Sequence, residues 1–485
     1  MQHITDSGLF KKECFIGGTW CKADDGSIIE VFNPYDNSRV GSVPRMGEAE
    51  TKRAIDAAAK AFKQWSAMSP SERAMLLLAW NEEIQKHKQD LAHILTLEQG
   101  KPLAESLGEI VTGASYIPWF AEEGKRAYGD VIPAPRKGVQ PITRCFPVGV
   151  VAAITPWNFP SSMLTRKASA ALAAGCTMVC KPASATPFSA LALAELARRA
   201  GIPNGVLNVI SGSAGAIGAA IAENSEVRAL TFTGSTAVGK ELMANMSMTM
   251  KRLGLELGGN APFIVFDDAD IDKAVNVCMG SKFRNAGQTC ICSNRIFVER
   301  KVHDEFANKL AERAAALKIG SGLEQGVEIG PLIDEAAAKN SDAMVKDAVA
   351  NGAKIFTGGM LLPAKGKCFF APTVLTGMTT GMRVFREEIF GPVAPIMAFD
   401  KEEEVIALAN DTPYGLAAYV CTNNTGRTLR VTAALEYGLV GVNDAVLAMP
   451  EVPFGGVKES GYGKEGGREG LHDFMETRYT LIGGL

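Results

Sequence analysis

This chain has no apolar run near the roughly 20 residues that a bilayer-spanning helix needs. Its opening residues, MQHITDSGLFKKECF, hold neither an apolar core nor a small-residue cleavage pattern, so no secretory signal is expected. An excess of one charge is missing too. With 50 Lys and Arg against 53 Asp and Glu the net charge is −3, which leaves no electrostatic footprint for nucleic acid or a membrane surface. The ten cysteines, Cys14, Cys21, Cys145, Cys176, Cys180, Cys278, Cys290, Cys292, Cys368 and Cys421, include no Cys-x-x-Cys pair, and the five histidines form no His-Glu-x-x-His. Neither a disulfide framework nor a zinc site is expected. Repeats, low-complexity tracts and long linkers are absent. The expectation is a reduced, cytoplasmic protein without a metal, with neither nucleic acid nor membrane as partner.

What is present is a globular composition, 47% hydrophobic and 21% charged over 485 residues, too long for one ordinary core and so divided into two or three domains. The early part is helical: AIDAAAKAFKQW sets Ile55, Ala58, Ala59 and Phe62 on one stripe. Ser69-Pro70-Ser71-Glu72 reads as a capping box opening a helix through Glu82–Glu83. From Val148 the pattern alternates. VGVVAAITPWN, CTMVCKPAS, VLNVISG and ALTFTGS read as buried strands, and RKASAALAAG and PFSALALAELARRAG as the helices between them. Such a βαβ series predicts a doubly wound parallel sheet. A second α/β series begins near Ala261, and Gly138 to Phe146 interrupts the first with β-like character.

The chemistry concentrates in FRNAGQTCICSNR, with Cys290, and LELGGN, with Glu256. Alone, an intracellular cysteine is usually a small core residue and a glutamate a solvated one. Together, a thiolate nucleophile and a nearby acid/base are the minimum for covalent chemistry on a carbonyl. The two segments resemble the active-site signatures of the aldehyde dehydrogenase superfamily. The longer blocks SLGEIVTGASYIPWFAEEGKRAYGD, AAGCTMVCKPASATPFSALALAELA and LELGGNAPFIVFDDADIDKAV are similar to its succinate-semialdehyde dehydrogenases, from about Leu9 to the C-terminus. The resemblance implies an α/β fold with a Rossmann-type cofactor domain (residues 1–126 and 147–258), a second α/β catalytic domain (259–446) and a small β oligomerisation arm with the C-terminal tail (127–146 and 447–485). It further implies a homodimer or homotetramer.

By the same resemblance Cys290 attacks the aldehyde, Asn158 in PWNFP and the Cys290 N–H hold the oxyanion, and Glu256 activates the water that releases the acid. Lys167 supports the oxyanion side. The strict Gly-x-Gly-x-x-Gly fingerprint is missing. TFTGSTAVGKEL instead places Gly234, Ser235 and Gly239 at a strand-to-helix turn, where backbone N–H groups favour phosphate. ITPWNFP with Trp157, Lys181 and Ser184 in CKPASATP, and Glu388 and Phe390 in EEIFGPV match the family's NAD or NADP contacts. Serine at 184, where a carboxylate would repel a 2′-phosphate, leans the expectation to NADP, with NAD usable.

Arg166 and Arg284 flank the motifs that line the family's substrate tunnel. Two guanidiniums near a cysteine make a receptor for a carboxylate, which Arg binds in bidentate fashion; each is otherwise a surface ion pair. Both positions resemble those of the succinate-semialdehyde dehydrogenases, so the expected substrate is an aldehyde carrying a carboxylate, succinate semialdehyde first. One departure is Ala448, at a loop position that often carries serine in that subfamily. It makes glutarate and 2-oxoglutarate semialdehyde credible. Glu256 disfavours a CoA-acylating relative; a cofactor-free cysteine esterase would not need Gly234, Lys181 and Glu388. Cys292 is either a reversible disulfide partner of Cys290 or an inert neighbour.

Overall fold

The computed structural model describes residues 4–485; Met1 to His3 lie outside the described residues. The βαβ series folds as expected. An eight-stranded sheet runs in the order 461–462, 252–256, 227–233, 150–154, 177–181, 207–209, 14–16 and 19–21. The five strands from 252–256 to 207–209 are parallel, and the short outer ones close the edges in antiparallel fashion. A second sheet of seven strands runs 354–357, 373–376, 393–399, 293–299, 261–265, 417–421 and 439–442. Both are buried on their two faces, which explains why their strands read as apolar runs instead of alternating ones.

Local chemistry sets the helix ends. Ser69 and Glu72 form the expected reciprocal cap, and the helix runs Pro70–Lys86, a turn beyond the sequence expectation. In the helix Glu48–Ala67, Ile55 and Ala58 are fully buried while Ala59 and Phe62 are half-buried, and Trp65 takes the last core position. Gly175 closes the helix Pro160–Ala174 at φ 98°, a left-handed conformation that glycine adopts without strain.

The segment Val139–Pro147 pairs antiparallel with Met475–Gly483 as a separate two-stranded ribbon. Beyond Met475 that ribbon's last strand is exposed along its length. The tail also reaches back into the first sheet, where Gly461–Tyr462 pairs with Leu255 and Glu256. Among the described residues no helix is long and apolar enough to cross a membrane.

Candidate active site

Parallel strands bring their C-terminal ends to one edge, where ligands bind in open α/β sheets. That edge carries Asn158 after strand 150–154, Lys181 ending 177–181, Gly234 after 227–233 and Glu256 ending 252–256. From the second sheet come the loops leading into strands 293–299 and 393–399, which are parallel neighbours. They carry Cys290, and Glu388 with Phe390. The two sets meet in a cavity of about 240 Å³ lined by Trp157, Asn158, Met163, Gly234, Ser235, Gly258, Cys290, Glu388 and Phe390.

Burial, then Glu388 and Glu256, push the Cys290 thiol up to about 12, so the resting group is a thiol. Burial likewise raises Glu388 to about 7, against one backbone N–H, that of Gly259, which donates to Oε1 at 3.0 Å. Phe390 sits at φ 49° with its ring edge-on to Trp157, centroids 5.5 Å apart. The Asn158 amide donates one Nδ2 hydrogen to the Gln288 carbonyl at 3.0 Å. Asn158 lines the cavity, and its Oδ1 is buried without a hydrogen-bond partner. The loop before Cys290 is strained: Asn285 and Ala286 hold φ of 50° and 53°. Gly259 packs so tightly against it that a Cβ there would lie 2.4 Å from the Cys290 carbonyl oxygen.

Glu256 does not line this cavity; its neighbours Leu257 and Gly258 do. Its carboxylate borders a separate enclosed space of about 20 Å³, with Arg166, Lys167, Lys464 and Glu465 around it, which is room for about one water. Glu256 Oε2 is buried without a hydrogen-bond partner. Burial first, and Glu465 second, hold its carboxyl well above the usual range. Burial would also raise Glu465, but Lys167 and Arg166 outweigh it and keep that carboxyl low. Lys167 is hydrogen-bonded to Glu465 and donates to Thr233 Oγ1 at 2.7 Å.

Arg166 is buried between the rings of Tyr116 and Phe454, at 4.9 and 4.6 Å, and donates to Glu465 at 3.3 Å, leaving its Nε without a partner. Arg284 is exposed, lies 5.2 Å over the Phe159 ring, and makes no hydrogen bond or ion pair among the described residues. Neither arginine lines the Cys290 cavity. Ala448 is half-buried against the second core, and Tyr116 donates to the carbonyl of the next residue, Met449, at 3.3 Å.

Farther along the first sheet, Ser235 caps the helix Thr236–Met246, and a Cβ on Gly239 would lie 2.4 Å from Leu257. A groove of about 620 Å³ opens between that helix and Ala214–Glu223, walled by Gly215, Gly218, Val238 and Leu242. Lys181 is buried, with its Nζ donating to the Pro182 carbonyl. Ser184 faces another cavity, shared with Tyr35 and Glu98. Cys292 also stands apart from the nucleophile's cavity: it is buried, and its sulfur accepts from Lys282 Nζ at 3.4 Å.

The aldehyde dehydrogenase family model matches residues 20–480. This chain belongs to the aldehyde dehydrogenase family. It is 53% identical over 480 residues, 99% of each chain, to the succinate-semialdehyde dehydrogenase [NADP(+)] GabD of Escherichia coli K12. It is 52% identical over 479 residues, again 99% of each, to the glutarate-semialdehyde dehydrogenase of Pseudomonas putida KT2440. The crystal structure of an aldehyde dehydrogenase from Brucella melitensis biovar abortus 2308 superposes with a TM-score of 0.99 at 54% identity, covering 100% of both chains. Within this aldehyde dehydrogenase, sequence reasoning missed Glu465, Lys464, Tyr116, Gln99, Lys101 and Glu109, which pack behind the site. The only sequence signal, and for Lys101, Glu109, Lys464 and Glu465 alone, is a charged residue beside glycine, as in EQGKP and YGKEGG.

Proposed function

We propose that this chain oxidises an aldehyde bearing a terminal carboxylate, succinate semialdehyde first, to the dicarboxylate with NADP or NAD. The observation that carries this reading is the cavity that joins Cys290, Asn158 and Glu388, in a chain about half identical over its whole length to acid-semialdehyde dehydrogenases.

The residues fit a dinucleotide. The glycine turn at Gly234 and the capped helix behind it offer backbone N–H groups to phosphate, and the apolar groove beside that helix suits an adenine ring. Glu388 is placed to accept from ribose hydroxyls, with Phe390 and Trp157 as apolar walls. The cofactor supplies the hydride acceptor and, as a cation, favours the thiolate. Cys290 attacks the aldehyde carbon. Its own N–H and the Asn158 side-chain amide take the oxyanion, an interaction whose loss costs ~10²–10³ in rate. Once the hydride has left, the acyl group is a thioester on Cys290. Glu256, outside that cavity with a free Oε2, turns toward Cys290 and in its ionised form takes the proton of the attacking water. Ser184 lacks the charge that would repel a 2′-phosphate, which supports NADP.

Arg284, exposed over the Phe159 ring and without an ion pair, is the proposed carboxylate receptor outside the Cys290 cavity, and buried Arg166 adds only its charge from behind. Ala448 supports the second reading, glutarate semialdehyde. An apolar side chain there provides no hydroxyl to hold the shorter acid, and relatives of both kinds are equally similar. The exposed ribbon 475–483 would pair with a second copy, since a two-stranded ribbon is marginal alone.

The test is kcat/KM for succinate, glutarate and 2-oxoglutarate semialdehydes and for butanal, each with NADP and NAD. A preference of about tenfold or more for an acid, roughly 1.4 kcal/mol, is expected. Equal turnover of butanal removes the carboxylate receptor and leaves a general aldehyde dehydrogenase.

A further inference from the structure

The turn Gln99-Gly100-Lys101 takes no part in the steps above, yet it places a fully buried ion pair against the backbone of the oxyanion residue. Lys101 Nζ donates to Glu109 Oε2 and to the Asn158 carbonyl, each at 2.7 Å, and lies 3.9 Å from the centre of the Phe159 ring. The other Glu109 oxygen accepts from Ser161 N–H at 2.9 Å and Ser162 N–H at 3.1 Å, the first turn of the helix that follows Asn158. Gln99 accepts from Lys101 N–H at 2.9 Å and donates to Asn285 Oδ1 at 3.0 Å. Asn285, in its strained left-handed conformation, donates from Nδ2 to the carbonyls of Asn158 and Gln288, both at 3.2 Å.

One turn therefore grips both loops that must meet at the oxyanion: Asn158 from the first sheet and the Cys290 loop from the second. The turn itself requires glycine. Gly100 holds φ 93°, and a Cβ there would lie 2.7 Å from Pro331 and 2.8 Å from Pro34. Stability does not explain such a pair, because replacing a buried ion pair by apolar groups is often neutral.

We propose that Lys101, with Glu109, is a positioning residue for the oxyanion. It fixes the Asn158 main chain so that the side-chain amide, which lines the cavity with Cys290, is held where the aldehyde oxygen becomes charged. The inference rests on the dehydrogenase reading above. A misplacement of about 1 Å in such a group can cost ~10²-fold in rate.

Lys101→Met alone leaves Glu109 as an unpaired buried carboxylate and can unfold the chain, so the working variant joins it to Glu109→Gln. In this double variant kcat/KM for the preferred aldehyde is expected to fall about tenfold or more. Alkylation of Cys290 by iodoacetamide, which builds no oxyanion, stays within about twofold of wild type. Asn158→Ala, costing ~10²–10³ in the wild-type chain, costs less than about tenfold in the double variant. Equal cost of Asn158→Ala in both backgrounds, or alkylation falling in step with kcat/KM, overturns the proposal. A wild-type chain that reduces neither cofactor with any aldehyde overturns the dehydrogenase reading itself, before any variant is compared.

Discussion

At the scale of single residues, the site is a set of groups held in their uncharged or unpartnered forms by burial. Cys290 is a thiol, Glu256 lacks a partner for Oε2, and Glu388 is raised to about 7. Glu388 gives the most direct pH prediction. Its ionised form accepts from ribose hydroxyls more strongly than its protonated form, so cofactor affinity is highest above pH 7 and weakens below it. Between pH 8 and pH 6 the ionised fraction falls about tenfold, and the cofactor Kd should weaken by up to about that factor. A fluorescence titration of cofactor binding reads this directly, and Glu388→Gln should flatten the profile. The residue scale is also where the sequence was most legible: Cys290, Asn158, Glu388 and Phe390 do share a cavity. Its blind spot was commitment. Nothing in TRKAS reveals that Arg166 is already engaged by Glu465 and two rings, whereas Arg284 lies over the Phe159 ring and has no ion pair among the described residues.

At the scale of elements, the periodicity found the strands and helices of the first α/β series because their residues are buried on regular faces, but the helices Glu48–Ala67 and Pro160–Ala174 each begin six residues before the stretch read from sequence. The connections between them were not legible in that way. The loop Leu257–Asn260 and the loop before Ser293 press together backbone to backbone, with Gly259 the point of closest approach. Gly259→Ala must displace the Cys290 carbonyl, since a main-chain atom cannot rotate aside as a side chain can. Steady-state kinetics should show kcat/KM reduced about 10²-fold, while circular dichroism reports an unchanged fold. Wild-type turnover in that variant would mean that the two loops adjust independently of the chemistry.

For the whole molecule, the sheet order places the C-terminal edge of one sheet against the N-terminal edge of the other, and the tail returns through Gly455, Lys464 and Glu465 to enclose Glu256. The ribbon 475–483 is the part left without a core, with Tyr479, Leu481 and Ile482 exposed. Burying each such side chain contributes about 1.5–3 kcal/mol, so an unpartnered ribbon wastes several. Replacing Leu481 and Ile482 by lysine should yield a smaller assembly by sedimentation, with the Cys290 cavity intact because the ribbon lies outside its lining. An unchanged sedimentation coefficient would remove the ribbon as the proposed contact between copies.

The sequence alone determined the inventory and the rhythm: a nucleophile among small residues, carboxylates and arginines in recognisable contexts, and two α/β series whose hydrophobic periods follow from strand and helix geometry. Only the tertiary structure decided which of these groups face one another. It put Glu256 beside a water-sized space instead of in the main cavity, paired Arg166 with Glu465, and turned Cys292 toward Lys282. It also brought Lys101 to Asn158 across the space between two segments far apart in the chain. The physical reason is that periodicity reports burial, which is a local average over one face. Pairing depends on the meeting of loops whose conformations are set by long-range packing and by strained residues such as Asn285, and no local pattern encodes these.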